Sequence, residues 1–199
     1  MGKIGTLVGS YVPDFELPGI DDQVHHLSRY LEKWRAVGVV FICNHSSYVD
    51  SYLDKLKQIQ SQFKQQGFTL VGINARDANQ YPECSFENMK QFAKVRKLNF
   101  PYLWDSTQDV AQGFGVEKMP TAFLIDQEGI LRYTGSIDNS FQEPEALQVP
   151  YLQNAISQMT KPAKDRGALA VRGGSRRLRY SNRSICAASS WSKIALWVS

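Results

Sequence analysis

Two kinds of apolar spacing alternate over the first 160 residues. Short unbroken runs, AVGVVFIC at 36–43, FTLVGINA at 68–75 and FPYLWD at 100–105, suit strands buried on both faces. Between the first two, Tyr48, Val49, Tyr52, Leu53, Leu56, Ile59 and Phe63 recur at helical spacing, with Asp50, Asp54, Lys55 and Lys57 among them. That pattern predicts an amphipathic helix closed by Gly67. Ser85 opens a shorter helix with Phe86, Met89, Phe92 and Ala93 on one face. Ser106 and Asp109 have the spacing of a capping box for a short helix that stops at Gly115. TAFLID and ILRYTG flank Gln127-Glu128-Gly129 and predict an antiparallel hairpin. Pro150 starts a last helix with Leu152, Ala155, Ile156 and Met159 toward the core. Ahead of all these, residues 13–30 are short apolar runs broken by Pro18-Gly19 and Asp21-Asp22, a small hairpin or loop. The order β-α-β-α-β-α-β-β-α predicts an α/β fold, a mixed, mainly parallel sheet with helices on both faces. It occupies one domain, residues 1–160.

Composition adds limits. A chain of 199 residues that is 43% hydrophobic can bury one substantial core. No run approaches the ~18 apolar residues that a membrane span needs. The opening MGKIGTLVGSYVPDF reads as neither signal nor transit peptide. The charge is divided: residues 161–199 hold nine Lys/Arg against one Asp, while residues 1–160 hold fourteen against eighteen Asp/Glu. The basic pI therefore belongs to the tail. Residues 161–199 show no sustained period and read as a basic, poorly ordered extension; RGGSRRLRYSNR is taken as a charge run rather than a nucleic-acid site. Three cysteines, Cys43, Cys84 and Cys186, are odd in number and widely spaced. They argue against a secreted disulfide framework and for a reducing, cytoplasmic setting.

Cys43 is the residue with chemistry. It ends a buried strand and precedes a helix start, where unpaired amides and the helix dipole stabilise an anion. A thiolate so placed is a nucleophile at neutral pH. His45, if protonated, adds to that stabilisation, and Asn44 and Ser46 can add hydrogen bonds. A small buried hydrophobe is the competing account of Cys43, but the end of a parallel strand opens on the crevice where α/β folds place their sites. Met119-Pro120-Thr121 is the second element; on local sequence Pro120 reads as an ordinary strand-opening proline. Cys84 follows Pro82-Glu83 in a loop and is expected to be an exposed bystander, too distant to meet Cys43 without a large movement. His25-His26 is expected on a solvated loop. No second ligand pair accompanies Cys43 and His45, so neither metal nor cofactor is expected.

Residues 8–160 resemble the thioredoxin superfamily, and most of all the thioredoxin-like branch of the alkyl hydroperoxide reductase/thiol-specific antioxidant (AhpC/TSA) family. The resemblance rests on VPDFELPGIDD, VVFICNHSSYV, INARDANQYPECSFENM, FPYLWDSTQDVAQGFGV and KMPTAFLIDQEGILRYTG. It implies a thioredoxin-like fold, with Cys43 as the attacking cysteine. It also implies a cis Pro120 beside Cys43, with Asn44, Met119 and Thr121 along a substrate-binding groove. Relatives usually read Cys-Asn-His-Cys-Pro where this chain has Cys43-Asn44-His45-Ser46-Ser47. The resolving cysteine is thus a serine, which cannot form a disulfide. A peroxiredoxin-type Pro-x-x-x-Thr/Ser-x-x-Cys run is also missing, since those places hold Ala36 and Val40.

The function that the resemblance implies is that of a peroxiredoxin-like, antioxidant-type redox protein working by thiol–disulfide exchange. It would use one nucleophilic cysteine and an external thiol as resolver, with glutathione or thioredoxin as reductant. The substrate would be a disulfide-bearing protein or a small thiol or disulfide. Neither a membrane nor nucleic acid is an expected partner. The competing function is a non-enzymatic thioredoxin-fold binding module that lost turnover with Ser46.

Overall fold

In the structure, a computed structural model, residues 5–44, 47–139 and 149–160 are described, and side-chain statements leave out 47–51 as well. Chain order is β1 (Glu16–Pro18), β2 (Val24–His26), α1 (Leu27–Lys33), β3 (Ala36–Phe41), α2 (Ser47–Phe63), β4 (Phe68–Asn74), α3 (Phe86–Arg96), β5 (Tyr102–Trp104), α4 (Asp109–Phe114), β6 (Thr121–Asp126), β7 (Leu131–Gly135) and α5 (Tyr151–Thr160). The expected tail at 161–199 lies outside the described residues.

β3 organises the sheet. It pairs parallel with β4 along its whole length and antiparallel with β6 along its whole length. β5 adds parallel to β4 and β7 antiparallel to β6, giving the order β5-β4-β3-β6-β7. Within this sheet β6 runs against the other four strands, so the sheet is mixed and mainly parallel in strand direction. The N-terminal hairpin of β1 and β2 forms a separate two-stranded sheet.

Side chains alternate across the sheet with the period of two that strands impose. Ala36, Val40, Phe68, Leu70, Ala122 and Leu124 face one core, shared with Leu56, Met89 and Ile156 from α2, α3 and α5. Val37, Val39, Phe41, Val71, Ile73, Phe123 and Ile125 face the other, closed by Leu27 of α1, Phe114 of α4 and the β1 hairpin residue Leu17. Both faces are dry, which is why these strands read as unbroken apolar runs. Among the described residues no helix is long and apolar enough to cross a membrane.

Three local features differ from the sequence expectations. α1 was not expected: its seven residues complete barely two turns, too few to show a period, and it buries Leu27. The Ser106–Asp109 capping box does not form. The residue before α4 is Gln108, in the left-handed region at φ 63° without a side-chain cap. Asp105 reaches from the end of β5 instead, and its Oδ2 accepts the Ala111 N–H at 2.8 Å. The histidines are not on a solvated loop either. Both lie in β2; the His25 ring stacks on Tyr30, with Nε2 2.9 Å from Asp21 and Nδ1 2.5 Å from the Tyr30 hydroxyl.

β5 pairs only with Gly72, Ile73 and Asn74, which leaves the start of β4 without a strand on that side. Gln60 of α2 fills the gap: it is buried, and its Oε1 accepts the Leu70 N–H at 2.6 Å. Gln60→Met keeps the length and removes the acceptor, stranding a buried amide. We expect a loss of about 1–3 kcal/mol, read by urea denaturation; an unchanged midpoint would show that Leu70 finds another acceptor.

Candidate active site

Ile42 extends the β3–β4 ladder by donating its N–H to the Ile73 carbonyl at 2.9 Å, and Cys43 is the first residue past that bond. The antiparallel register pairs Phe41 with Thr121. Two further steps along the same register bring Met119 level with Cys43. The side chains agree, because Met119 packs against the cluster that contains Cys43. The Met119–Pro120 peptide is cis, as the resemblance implies and local sequence alone did not. The Thr121 hydroxyl donates to the Lys118 carbonyl at 2.6 Å, closing the turn that carries Met119 and Pro120. Beside this turn a cleft is lined by Ala75, Arg76, Gln108, Lys118 and Met119. α2 begins at Ser47, four residues after Cys43. His45 and Ser46, expected to take part in the chemistry, lie outside the described residues.

Cys84 corrects an expectation. It is wholly buried, and it sits in one cluster with Cys43 and Leu53, with Tyr81, Phe92, Leu98 and Met119 packed around them. Neither Cys43 nor Cys84 is in a disulfide. The loop after β4 turns back through a single 3-10 turn, Pro82–Cys84, before α3. The Cys84 N–H donates to the Tyr81 carbonyl at 2.8 Å, and Asn88 of α3 donates its side-chain amide to the Pro82 carbonyl at 2.8 Å. The Arg76 guanidinium lies 5.1 Å from the centre of the Tyr81 ring. Pro82 of this turn stays exposed and Glu83 half-buried, while Cys84 is buried in the core.

Asn44 holds that turn against the end of β3. Its Nδ2 donates to the Glu83 carbonyl at 2.9 Å, and its Oδ1 accepts the Tyr102 hydroxyl at 2.8 Å. Expected along a substrate groove, Asn44 has its amide committed to two protein partners. The Tyr102 phenol is fully buried, and burial pushes its pKa well above the ordinary value; the neighbouring Cys84 and Cys43 push it the same way. Tyr102 is therefore a hydrogen-bond donor throughout the working pH range. Its ring lies over Gly72, where an added Cβ would stand 3.1 Å from the ring and 3.2 Å from Phe100. A larger residue at 72 would displace the ring that supports Asn44.

The sequence named Cys43, Asn44, Met119, Pro120 and Thr121, and the structure brings these to one end of the sheet. It gave no role to Tyr102, Tyr81 or Glu83, and it misplaced Cys84. No group of three His, Cys, Asp or Glu suited to a metal occurs among the described residues.

The arrangement is that of a thioredoxin-fold protein with a cysteine at the first strand–helix junction of its central sheet. Residues 8–134 match the family model described as "AhpC/TSA family", and the chain belongs to that family. Its curated relatives are thiol–disulfide oxidoreductases. The thiol-disulfide oxidoreductase ResA of Geobacillus thermodenitrificans is 27% identical over 127 residues, 64% of this chain and 68% of the relative. The thiol:disulfide interchange protein DsbE of Allochromatium vinosum is 27% identical over 138 residues, 66% and 69% of the two chains. Among solved structures, an uncharacterized conserved protein from Geobacillus kaustophilus superimposes with a TM-score of 0.73 at 30% identity, covering 79% of this chain and 84% of its own.

Asn44→Ala removes the acceptor of a buried hydroxyl and the donor to the Glu83 carbonyl together. It is expected to cost about 1–3 kcal/mol and to speed amide hydrogen exchange at Cys84 and Ser85. Tyr102→Phe, which leaves the Asn44–Glu83 bond in place, is expected to cost less and to leave that exchange slow. Equal exchange in both variants would mean that Asn44 does not hold the turn.

Proposed function

We propose that the protein carries out thiol–disulfide exchange with Cys43 as the attacking thiol, on a disulfide-bearing protein or small disulfide. The observation that supports this most is the meeting of Cys43 with Met119 and the cis Pro120 at the end of β3. The activity named for the relatives points the same way. In this reading His45 favours the thiolate, and the backbone at Met119 and Thr121 receives an extended substrate segment.

Cys43 attacks one sulfur of the substrate disulfide, the other sulfur leaves as a thiol, and a mixed disulfide remains on Cys43. Ser46 stands where relatives of the resembled type carry the second cysteine, and its hydroxyl cannot open that bond. A thiol elsewhere than at position 46 must open it, and a thiol from outside, glutathione or a thioredoxin-type dithiol, returns the protein to the reduced state. A reducing compartment such as the cytoplasm supplies such thiols. A peroxide substrate has less support: Ala36 and Val40, at the places of the peroxiredoxin proline and hydroxyl, are buried apolar residues of β3.

The test is reduction of a disulfide-bonded protein by excess glutathione, followed as loss of the disulfide. Wild type is expected to accelerate it, and Cys43→Ser to fall to the uncatalysed rate. Retention of most of the acceleration by Cys43→Ser would refute Cys43 as the nucleophile.

A further inference from the structure

Resting on the reading of Cys43 as nucleophile, we infer that Cys84 is an internal resolving thiol, which takes the place of the sulfur absent at position 46. Two observations carry this independently. The side chains of Cys43 and Cys84 belong to one packed cluster with Leu53 between the same neighbours. The backbone is fixed to match: the residue after Cys43 is hydrogen-bonded to the residue before Cys84, Asn44 Nδ2 to Glu83 O at 2.9 Å, across 39 positions of sequence. Tyr102, which donates to Asn44, feels both thiols. The two cysteines are therefore held together from both the side-chain and the main-chain direction.

Burial sets the order of events. Cys84 has no exposed surface, while Cys43 retains 5%. An outside disulfide meets Cys43 first. Cys84 is shielded from the substrate and packs in the same cluster as Cys43. Once the mixed disulfide stands on Cys43, the Cys84 sulfur attacks Cys43 Sγ. The bond between Cys43 and the substrate sulfur breaks, and the Cys84 proton goes to the departing sulfur, which leaves as a thiol. The substrate disulfide has then gained two electrons and two protons, and the protein holds a Cys43–Cys84 disulfide. An external dithiol reduces it in turn. The turn that carries Cys84 is a single 3-10 turn, Pro82–Cys84, in the loop between β4 and α3 and outside every strand of the sheet. Because the attack is intramolecular, it competes with glutathione at an effective concentration of roughly millimolar or more.

A resolving cysteine in this place also changes what the external thiol must do. It reduces an internal disulfide instead of releasing each substrate, which favours a dithiol over a monothiol reductant.

The test uses the full-length chain, reduced, freed of reductant under anaerobic conditions and treated with glutathione disulfide. Samples are quenched in acid, digested and mapped by mass spectrometry. The expected wild-type product is a peptide pair joined through Cys43 and Cys84, two hydrogens lighter than the reduced pair, with glutathione released. Cys84→Ala is expected to hold glutathione on Cys43 at least about tenfold longer than wild type does. The wild-type map stands even if that variant folds poorly. Wild type that keeps glutathione on Cys43 with Cys84 still a thiol would overturn the inference while leaving Cys43 as the nucleophile, and Cys84 would then only pack the core. A Cys43–Cys186 link would overturn it as well. If glutathione reaches Cys43 in neither protein, the proposed function fails with it.

Discussion

Everything at the functional end depends on β3 being hemmed in. It has a partner strand along each edge and a closed core against each face. A strand with no free edge and no wet face has one register, because a slip of one residue would exchange its two sets of side chains between cores. The place where β3 stops is therefore fixed on all sides, and so is the first residue beyond it. Cys43 is delivered there by the sheet, and the antiparallel strand β6 delivers Met119 and Pro120 to the same level.

The second dependence is polar. The 3-10 turn that carries Cys84 has little of the sheet's support; it is one turn in a loop between β4 and α3. Asn44 compensates with both ends of its amide, donating to the turn and accepting from a tyrosine whose hydroxyl has no access to water. Breaking the amide would leave buried polar atoms unpaired, so the bridge is costly to open. The side chains packed around Cys84, Leu53, Tyr81, Phe92, Leu98 and Met119, keep it from solvent. Both thiols are buried, but Cys43 keeps a sliver of surface, 5%, where a substrate can reach it, and Cys84 keeps none.

Much of this was legible in the sequence. The strands announced themselves because both faces of the sheet are dry, and AVGVVFIC has no polar position to confuse with a helix. The hairpin of β6 and β7 and the helices α2, α3 and α5 could be read from turn residues and periodicity. α1 escaped notice because seven residues carry too little period. The start of α4 was misjudged because Asp105, a strand-end residue, supplies its hydrogen bond in place of Ser106. Cys84 was misplaced for a different reason. Its distance from Cys43 is set by how a loop folds back, and that depends on a bond between Asn44 and Glu83 that no spacing rule encodes.

The most direct measurement of the central claim is the relative reactivity of the two thiols in the native protein. The reduced chain is exposed to a limiting amount of a small alkylating reagent, and peptide mapping follows Cys43 and Cys84 over time. Cys43 should react first. Cys84 should lag by about a hundredfold or more, the factor set by a local opening of roughly 3 kcal/mol, and should catch up only in denaturant. Alkylation of Cys84 as fast as Cys43, or of neither until the fold is lost, would contradict a site with one thiol offered to substrate and one held behind it.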